Sequence, residues 1–337
     1  MNDLEPTQPS ATTEYELPGW AQIPITVLAK IPGVNWAKSV SALCTAATDI
    51  GVAYLEGFAR QARANTEGRI QVTSALAEQI SQRLDVSPEY VNAAMHKFST
   101  KVVGQRKNVE QAVRNAAKEL MDVPSRLGAP QDSVGEISDD WLNAFESEAV
   151  NMSSQQMQML FGKILAGEIR APGSYSIRTV KLMAQLDNKT ATLFKKFCSL
   201  CVLVEGPHFV KDARVNSLGK EANANSLHPY GLSYSELNLL QEYGLLSPEY
   251  RSQMPYSWCV WNGESVLAEA IYLGKPYALI PKNGELPSDS PYVRGPVLTQ
   301  GGAELYSIVD FEEDPTYTSA LHDYWAGLGY EFAPITS

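Results

Sequence analysis

The chain has 337 residues, 44% of them apolar, and a formal net charge of −11, enough length for two domains or one elaborated domain with a full core. From His228 to the C-terminus there are 4 Lys and Arg against 14 Asp and Glu, so this part carries −10 and the preceding residues only −1. That sign is unsuited to neutralising phosphates and argues against nucleic-acid binding by the C-terminal part.

Residues 1–20 carry no Lys or Arg and are rich in Pro, Thr, Ser and Glu. They read as a flexible lead-in without the basic start and apolar core of a signal peptide. Residues 21–121 read as an N-terminal helical region. Two pieces are broken at Pro32-Gly33, the second running from about Trp36 to Ala64, and a further helix spans 66–84. A long helix then starts at Ser87-Pro88-Glu89, with Ser as cap, Pro in the first turn and an acid near the positive dipole end, and runs to about Leu120 with a weak point at Gly104. The apolar stretch Val40 to Phe58 contains Asp49 and Glu56, so a buried amphipathic helix is expected there, with membrane contact at most peripheral through 36–64.

The long helix carries a basic island: Lys97, Lys101, Arg106, Lys107, Arg114 and Lys118, opposed by Glu110 and Glu119. It reads as a solvated face, or as a docking face for an acidic protein partner, which includes the acidic C-terminal region of its own or a neighbouring subunit. A nucleic-acid backbone comes third.

Residues 122–137 read as a linker, with Pro124, Gly128, Pro130 and Gly135. Residues 138–204 read as a central helical domain. Ser138-Asp139-Asp140 starts a helix with the stripe Trp141, Phe145, Ala149 and Met152; Ser153-Ser-Gln-Gln156 fits a capping box before the next helix. Pro172-Gly173 stops that helix, Ser174 or Ser176 caps its successor, and Asp187 caps another. The apolar run Leu193–Val204 reads as a buried helix, so Cys198-Ser-Leu-Cys201 reads as two core residues rather than a metal or redox pair. With Cys44 and Cys259 these are expected as free thiols in the cytoplasm.

Residues 205–232 read as an irregular connector and 233–337 as an acidic α+β domain. Its expected elements are a helix over Ser235–Gly244, a strand from Tyr256 turning at Asn262-Gly263, a strand over Tyr277–Pro281, a Thr299-capped helix over Gln300–Tyr306, a last strand at Ile308-Val309 and a terminal helix over Tyr317–Leu328. The order of helix, glycine, short strands and Leu298-Thr299-Gln-Gly-Gly302-Ala-Glu304-Leu305 resembles winged-helix modules. The helix that would read a groove offers Glu236, Asn238, Gln241 and Glu242, with no Arg or Lys. The expected fold is therefore mainly α: an N-terminal and central helical bundle followed by a small α+β, winged-helix-like C-terminal domain.

The densest pattern is Gln158-Met-Leu-Phe-Gly-Lys-Ile-Leu-Ala-Gly-Glu168, closed by Pro172-Gly173 and restarted at Ser176-Ile-Arg178-Thr179. Two helices meeting at Pro-Gly are expected to bring Glu168 and Arg178 together as a salt bridge helped by Gln158 and Ser176. These four residues form a structural corner or a ligand site. The histidines His96, His208, His228 and His322 are scattered, and no phosphate loop, nucleophile elbow or metal-ligand spacing is present. No catalytic residue, cofactor or metal set is assigned.

With Trp141, Phe145, Glu148, Gln158, Leu165-Ala-Gly-Glu168, Pro172-Gly-Ser174, Ser176, Arg178-Thr179 and Phe194 in place, the chain resembles a bacterial family catalogued as domain of unknown function 2806. The resemblance runs from about Arg106 to Phe197, with an echo over Leu298–Leu305 and the final helix. The core block Gln158–Glu168 is also similar to a block in abortive-infection alpha proteins of phage defence; Phe161 stands where the family usually places Trp. The resemblance implies a cytosolic bacterial helical protein in phage defence and carries over no catalytic residue. With the split charge, it leads to a non-enzymatic protein that works through protein contacts and self-association. The alternatives are a winged-helix nucleic-acid binder with the basic helix on the phosphates, and a metal-dependent nuclease or hydrolase using Asp139, Asp140 or Glu168.

Overall fold

The computed structural model describes residues 78, 81–82, 85–122, 137–205, 212–284, 286–287 and 290–335. The elements expected over 21–64, most of 66–84, the segment 123–136, Cys44 and His208 lie outside the described residues. Within these the chain is mainly helical, with eight α-helices and small antiparallel sheets. None of the described helices is long and apolar enough to cross a membrane.

Helix α1 (Pro88–Asp122) is the longest element at 35 residues, about 52 Å at 1.5 Å per residue. It runs through Gly104 without a break. Its C-terminal half buries Val109, Ala112, Val113, Ala116 and Ala117, the i, i+3, i+4, i+7, i+8 stripe of an amphipathic helix. Helix α2 (Asp139–Ala149) and helix α3 (Gln155–Arg170) follow, and α3 buries Phe161, Ile164, Leu165 and Ile169. The pair α1–α3 approaches closely at Gly162, opposite Asn115 and Ala116. An ideal Cβ placed on Gly162 would sit 2.5 Å from Asn115 Cβ and 2.9 Å from the Ala116 backbone nitrogen.

Helices α4 (Ile177–Gln185) and α5 (Asn188–Leu200) complete the helical layer. Each start is fixed by a side-chain cap: Ser138 accepts from the Trp141 amide, Ser154 from Met157, Ser176 from Thr179 and Asp187 from Thr190. The cap of α3 is thus Ser154 rather than Ser153.

Helix α5 ends at Leu200, and Cys201 opens strand β1 (Cys201–Glu205). This corrects the continuous helix expected through Val204. Val202 and Val204 are β-branched and buried, and β1 is paired on both sides. Val202 faces Arg214 of strand β2 (Asp212–Val215) and Tyr272 of strand β4 (Glu269–Tyr272). Such double-sided burial favours branched residues in strands over helix. The connector expected over 205–232 therefore contributes a strand, followed by short 3-10 turns at Ala222–Ala224 and His228–Tyr230.

Helix α6 (Tyr234–Glu242) is closed by a capping box between Ser233 and Glu236. Strand β3 (Gln253–Pro255) pairs with β6 (Tyr292–Arg294); β4 turns into β5 (Lys275–Pro281), which pairs with the terminal β7 (Tyr330–Pro334). The five-stranded order is β2-β1-β4-β5-β7, antiparallel throughout.

The hairpin lies at Leu273-Gly274, both at positive φ (50° and 74°), as a two-residue primed turn requires. The hairpin expected at Asn262-Gly263 is not formed. There the Asn262 side chain accepts the amides of Glu264 and Ser265 at 3.0 and 2.9 Å, which closes a local Asx turn, and Ser257–Cys259 is a 3-10 turn. Helix α7 (Gln300–Tyr306) starts at the expected Thr299 cap. Ile308 and Val309 are not a strand: their amides bond back to Leu305 and Tyr306 and extend the end of α7. Helix α8 (Pro315–Gly327) precedes β7. One buried apolar cluster runs from Val109 to Phe332.

Candidate functional site at the Pro-Gly corner

The corner between α3 and α4 is organised by Glu168, only 3% exposed. One carboxylate oxygen accepts the Gly173 amide at 2.6 Å and the other the Tyr175 amide at 2.9 Å. The loop reverses through Gly173 at φ 89°, so the carboxylate spans a turn whose amides have no helical partner. Burial raises the Glu168 pKa above the ordinary 4.5, the two amides pull against it, and the nearby Glu304 carboxylate raises it further.

Tyr175 is the second fixed point. Its backbone oxygen accepts Trp141 Nε1 at 2.8 Å, and its hydroxyl lies 2.9 Å from Ser307 Oγ. Its ring occupies the space where a side chain on Gly167 would be: an ideal Cβ there falls 2.5 Å from Tyr175 Cε2. Gly162 and Gly167 in the Gly-Lys-Ile-Leu-Ala-Gly run thus have separate reasons, one for the approach of α1 and one for the Tyr175 ring.

Ser176 links this corner to the C-terminal half. Its hydroxyl caps α4, and its amide donates to Glu304 Oε2 at 2.7 Å. Glu304 Oε1 accepts from Gln300 Nε2 at 3.0 Å, and an ideal Cβ on Gly301 would lie 3.3 Å from Thr179 Oγ1. The two densest sequence blocks, Gln158–Thr179 and Leu298–Leu305, therefore meet.

The expected four-residue constellation is not assembled. Arg178 is exposed at the start of α4 and lies beside Gly244; no ion pair joins it to Glu168 among the described residues. Gln158 stands at the other end of α3, where its amide donates to Asn108 Oδ1 at 3.2 Å and the Met152 carbonyl at 3.0 Å, tying α1 to the α2–α3 turn. Asp139 and Asp140 are exposed in the first turn of α2. Among the described residues no group of three or more His, Cys, Asp and Glu converges into a metal-holding set. Cys198, Cys201 and Cys259 are free and buried, and burial pushes the first two thiols well above the ordinary value.

Lys97, Lys101, Lys107 and Lys118 are exposed on α1. Arg106 turns to Glu110 one helical turn on, and Arg114 is half-buried. The acidic loop after α7 meets other lysines: Lys163 pairs with Asp310 at 2.7 Å, Lys195 with Glu312 at 3.1 Å and Lys196 with Asp314 at 2.6 Å. The sequence reading missed these lysines, together with Tyr175 and Glu304 as corner partners. Glu304 had a signal, its place in the Leu-Thr-x-x-Gly-x-Glu-Leu pattern; Tyr175 had only its position between Pro-Gly and the α4 cap.

The model of a family described as protein of unknown function (DUF2806) matches residues 93–322, about two thirds of the chain. The chain belongs to that family. No curated protein and no solved structure matches. The matched span reaches from α1 into α8 and contains the corner, the acidic loop and strands β1 to β6, while the edge strand β7 follows it.

Proposed function

We propose that the protein is a non-enzymatic, cytosolic component of bacterial phage defence that works by protein contact, with self-association as its mode of assembly. The observation that carries this reading is the exposed lysine row Lys97, Lys101, Lys107 and Lys118. The acidic loop 310–314 already has Lys163, Lys195 and Lys196 as partners, so the α1 lysines are left facing outward, suited to an acidic surface on another molecule. The defence setting is supported by the similarity of the block Gln158–Glu168 to abortive-infection alpha proteins. The non-catalytic reading is supported by Glu168, both of whose oxygens hold backbone amides.

A winged-helix-like arrangement for the C-terminal part is supported by the antiparallel bridge Leu246–Leu298, which joins the chain leaving α6 to the chain entering α7. In this reading it serves as a protein-contact module.

Light scattering after size exclusion at low and high salt tests assembly. We expect an oligomer that dissociates as salt rises and in the variant with Lys97, Lys101, Lys107 and Lys118 all changed to Glu; a monomer at every salt concentration sinks the self-association. Plating of phage on cells with and without the gene tests the defence role, and equal plaque numbers across a broad phage panel count against it. The same lysines favour a second reading, contact with a nucleic-acid backbone. A gel shift on duplex DNA separates the two, since retention of DNA at micromolar protein supports the second.

A further inference from the structure

The sequence singled out Asn238, Gln241 and Glu242 on α6 without giving them a task. In the fold they line one wall of an open cleft of about 610 Å³ whose other wall is the loop at 248–251, a volume within the range of small-molecule sites. Tyr234 also lines it, 43% exposed, in a T-shaped contact with the ring of Tyr250, centroids 6.1 Å apart and planes at 88°.

Tyr250 fixes the polar groups. Its hydroxyl lies 3.0 Å from Asn238 Oδ1 and 2.9 Å from Gln241 Oε1. Burial pushes its pKa to about 12, so it stays a donor. One hydroxyl proton serves one carbonyl at a time, which leaves the second carbonyl able to accept from a ligand. Among the described residues no acceptor faces the amide nitrogen of Asn238 or of Gln241. Both amides are therefore oriented by protein contacts on one side and open on the other. Glu242 and Glu249 add exposed carboxylates, and Arg251, which pairs with Glu221 at 3.1 Å, adds a guanidinium.

These groups discriminate by charge. An anion gains the amide N–H groups and Arg251 but meets two carboxylates. A cation gains the carboxylates but meets Arg251 and the outward amide N–H groups. A neutral molecule whose hydroxyls both donate and accept satisfies all of them, and its C–H face can cover the open ring of Tyr234. We propose that this cleft is a binding site for a neutral saccharide.

The test is titration calorimetry of the full chain with maltotriose, cellotriose and triacetylchitotriose. At least one is expected to bind with Kd on the order of 1 mM. Tyr234→Ala should weaken it about tenfold or more, Gln241→Ala should weaken it as well, and Tyr234→Trp should preserve it. Leu267→Ala, at a residue 68% exposed elsewhere, should leave it unchanged. Circular dichroism checks that each variant is folded, and Tyr234→Trp keeps the proposal open to refutation should the alanine variant fail to fold. No heat with any of the three sugars at about 10 mM, binding indifferent to both Tyr234 variants and to Gln241→Ala, or tighter binding of adenosine, AMP or spermidine would each overturn it.

Discussion

Replacing Gly162 by alanine sets two known effects against each other. In the middle of a helix the change usually stabilises, by about 0.5–1 kcal/mol, because glycine loses more backbone freedom on folding and has poorer helix propensity. At Gly162 the new Cβ would sit 2.5 Å from Asn115 Cβ and 2.9 Å from the Ala116 backbone nitrogen. Ordinary carbon contacts need about 3.5–4.0 Å, so α1 and α3 must separate by about 1 Å. A backbone atom is among the obstacles, so no side-chain rotation relieves it. Overpacking of this kind costs about 1–3 kcal/mol, and after the helix gain about 0–2.5 kcal/mol of destabilisation remains, towards the upper end because the clash includes backbone. At about 2.1 cal/mol/K per residue over 337 residues, that corresponds to a fall in Tm of up to about 3–4 °C. Gly104→Ala is the internal control: it lies in the same long α1, exposed, and an added Cβ there meets nothing within 4 Å. It should raise Tm by about 1 °C. Both variants make the same chemical change, with the same effect on unfolded-chain entropy, so the sign difference isolates the α1–α3 approach. Melting followed by circular dichroism reads both. A Gly162→Ala protein that melts at or above the wild type refutes the close packing argued for this pair.

Glu168→Gln keeps the shape but offers one carbonyl where two carboxylate oxygens now accept amides, leaving a buried N–H opposite an NH2 group. A loss of about 1–3 kcal/mol in urea unfolding is expected, and an unchanged midpoint would show that the carboxylate does not lock the corner. Because the folded-state pKa of Glu168 is raised above 4.5, the native state holds this proton more tightly than the unfolded chain. The stability of wild type relative to Glu168→Gln should therefore fall as pH rises from about 4.5 through the folded value; a difference that grows over this interval contradicts the assigned burial. Arg214→Ala strands Asp212, which holds the guanidinium at 2.6 and 2.7 Å in the interior, and should cost about 3–5 kcal/mol. Lys195→Ala, whose partner Glu312 is 77% exposed, should cost less than about 1 kcal/mol by the same denaturation. Cys198, Cys201 and Cys259 should resist iodoacetamide in the native state and react on denaturation, as mass spectrometry of the alkylated peptides will show; native labelling of Cys198 or Cys201 is incompatible with their burial.

Local signals were legible because their physics is local. Ser138, Ser176, Asp187 and Thr299 each cap the helix expected of them, since the bond runs from a side chain to an amide two or three residues on. The Arg178 assignment failed for a geometric reason. Sequence tells that two helices meet at Pro172-Gly173 but not how α4 is rotated; Thr179 and Val180 turn to the core, which sends the adjacent Arg178 outward. Cys201 was misplaced because an apolar run of that length fits a buried helix and a buried strand alike, and only pairing with β2 and β4 decides. Glu304 as partner of Ser176 depends on a contact 128 residues apart, which no periodicity encodes.

The charge asymmetry illustrates the same limit and also shows where it ends. Sequence alone put the acidic excess at the C-terminus and a basic island on α1, and made each a candidate for the other. In the fold the acids at 310, 312 and 314 instead meet Lys163 on α3 and Lys195 and Lys196 on α5. Two of these acids are largely exposed, so the pairs add little stability. What they do is place: Lys163 also donates to the Ile308 carbonyl at 3.2 Å, seating the end of α7 against α3. Because Asp310, Glu312 and Asp314 are matched within the chain, among the described residues no α1 lysine is paired with a C-terminal acid. High salt should therefore leave the α3–α5 contacts with the loop nearly intact, since buried apolar packing holds that junction. Any salt dependence of assembly should trace to the α1 lysines, and the four-lysine variant should abolish it while leaving Tm within about 2 °C, as expected for exposed charges. Salt dependence that persists in that variant would move the interface away from α1 altogether.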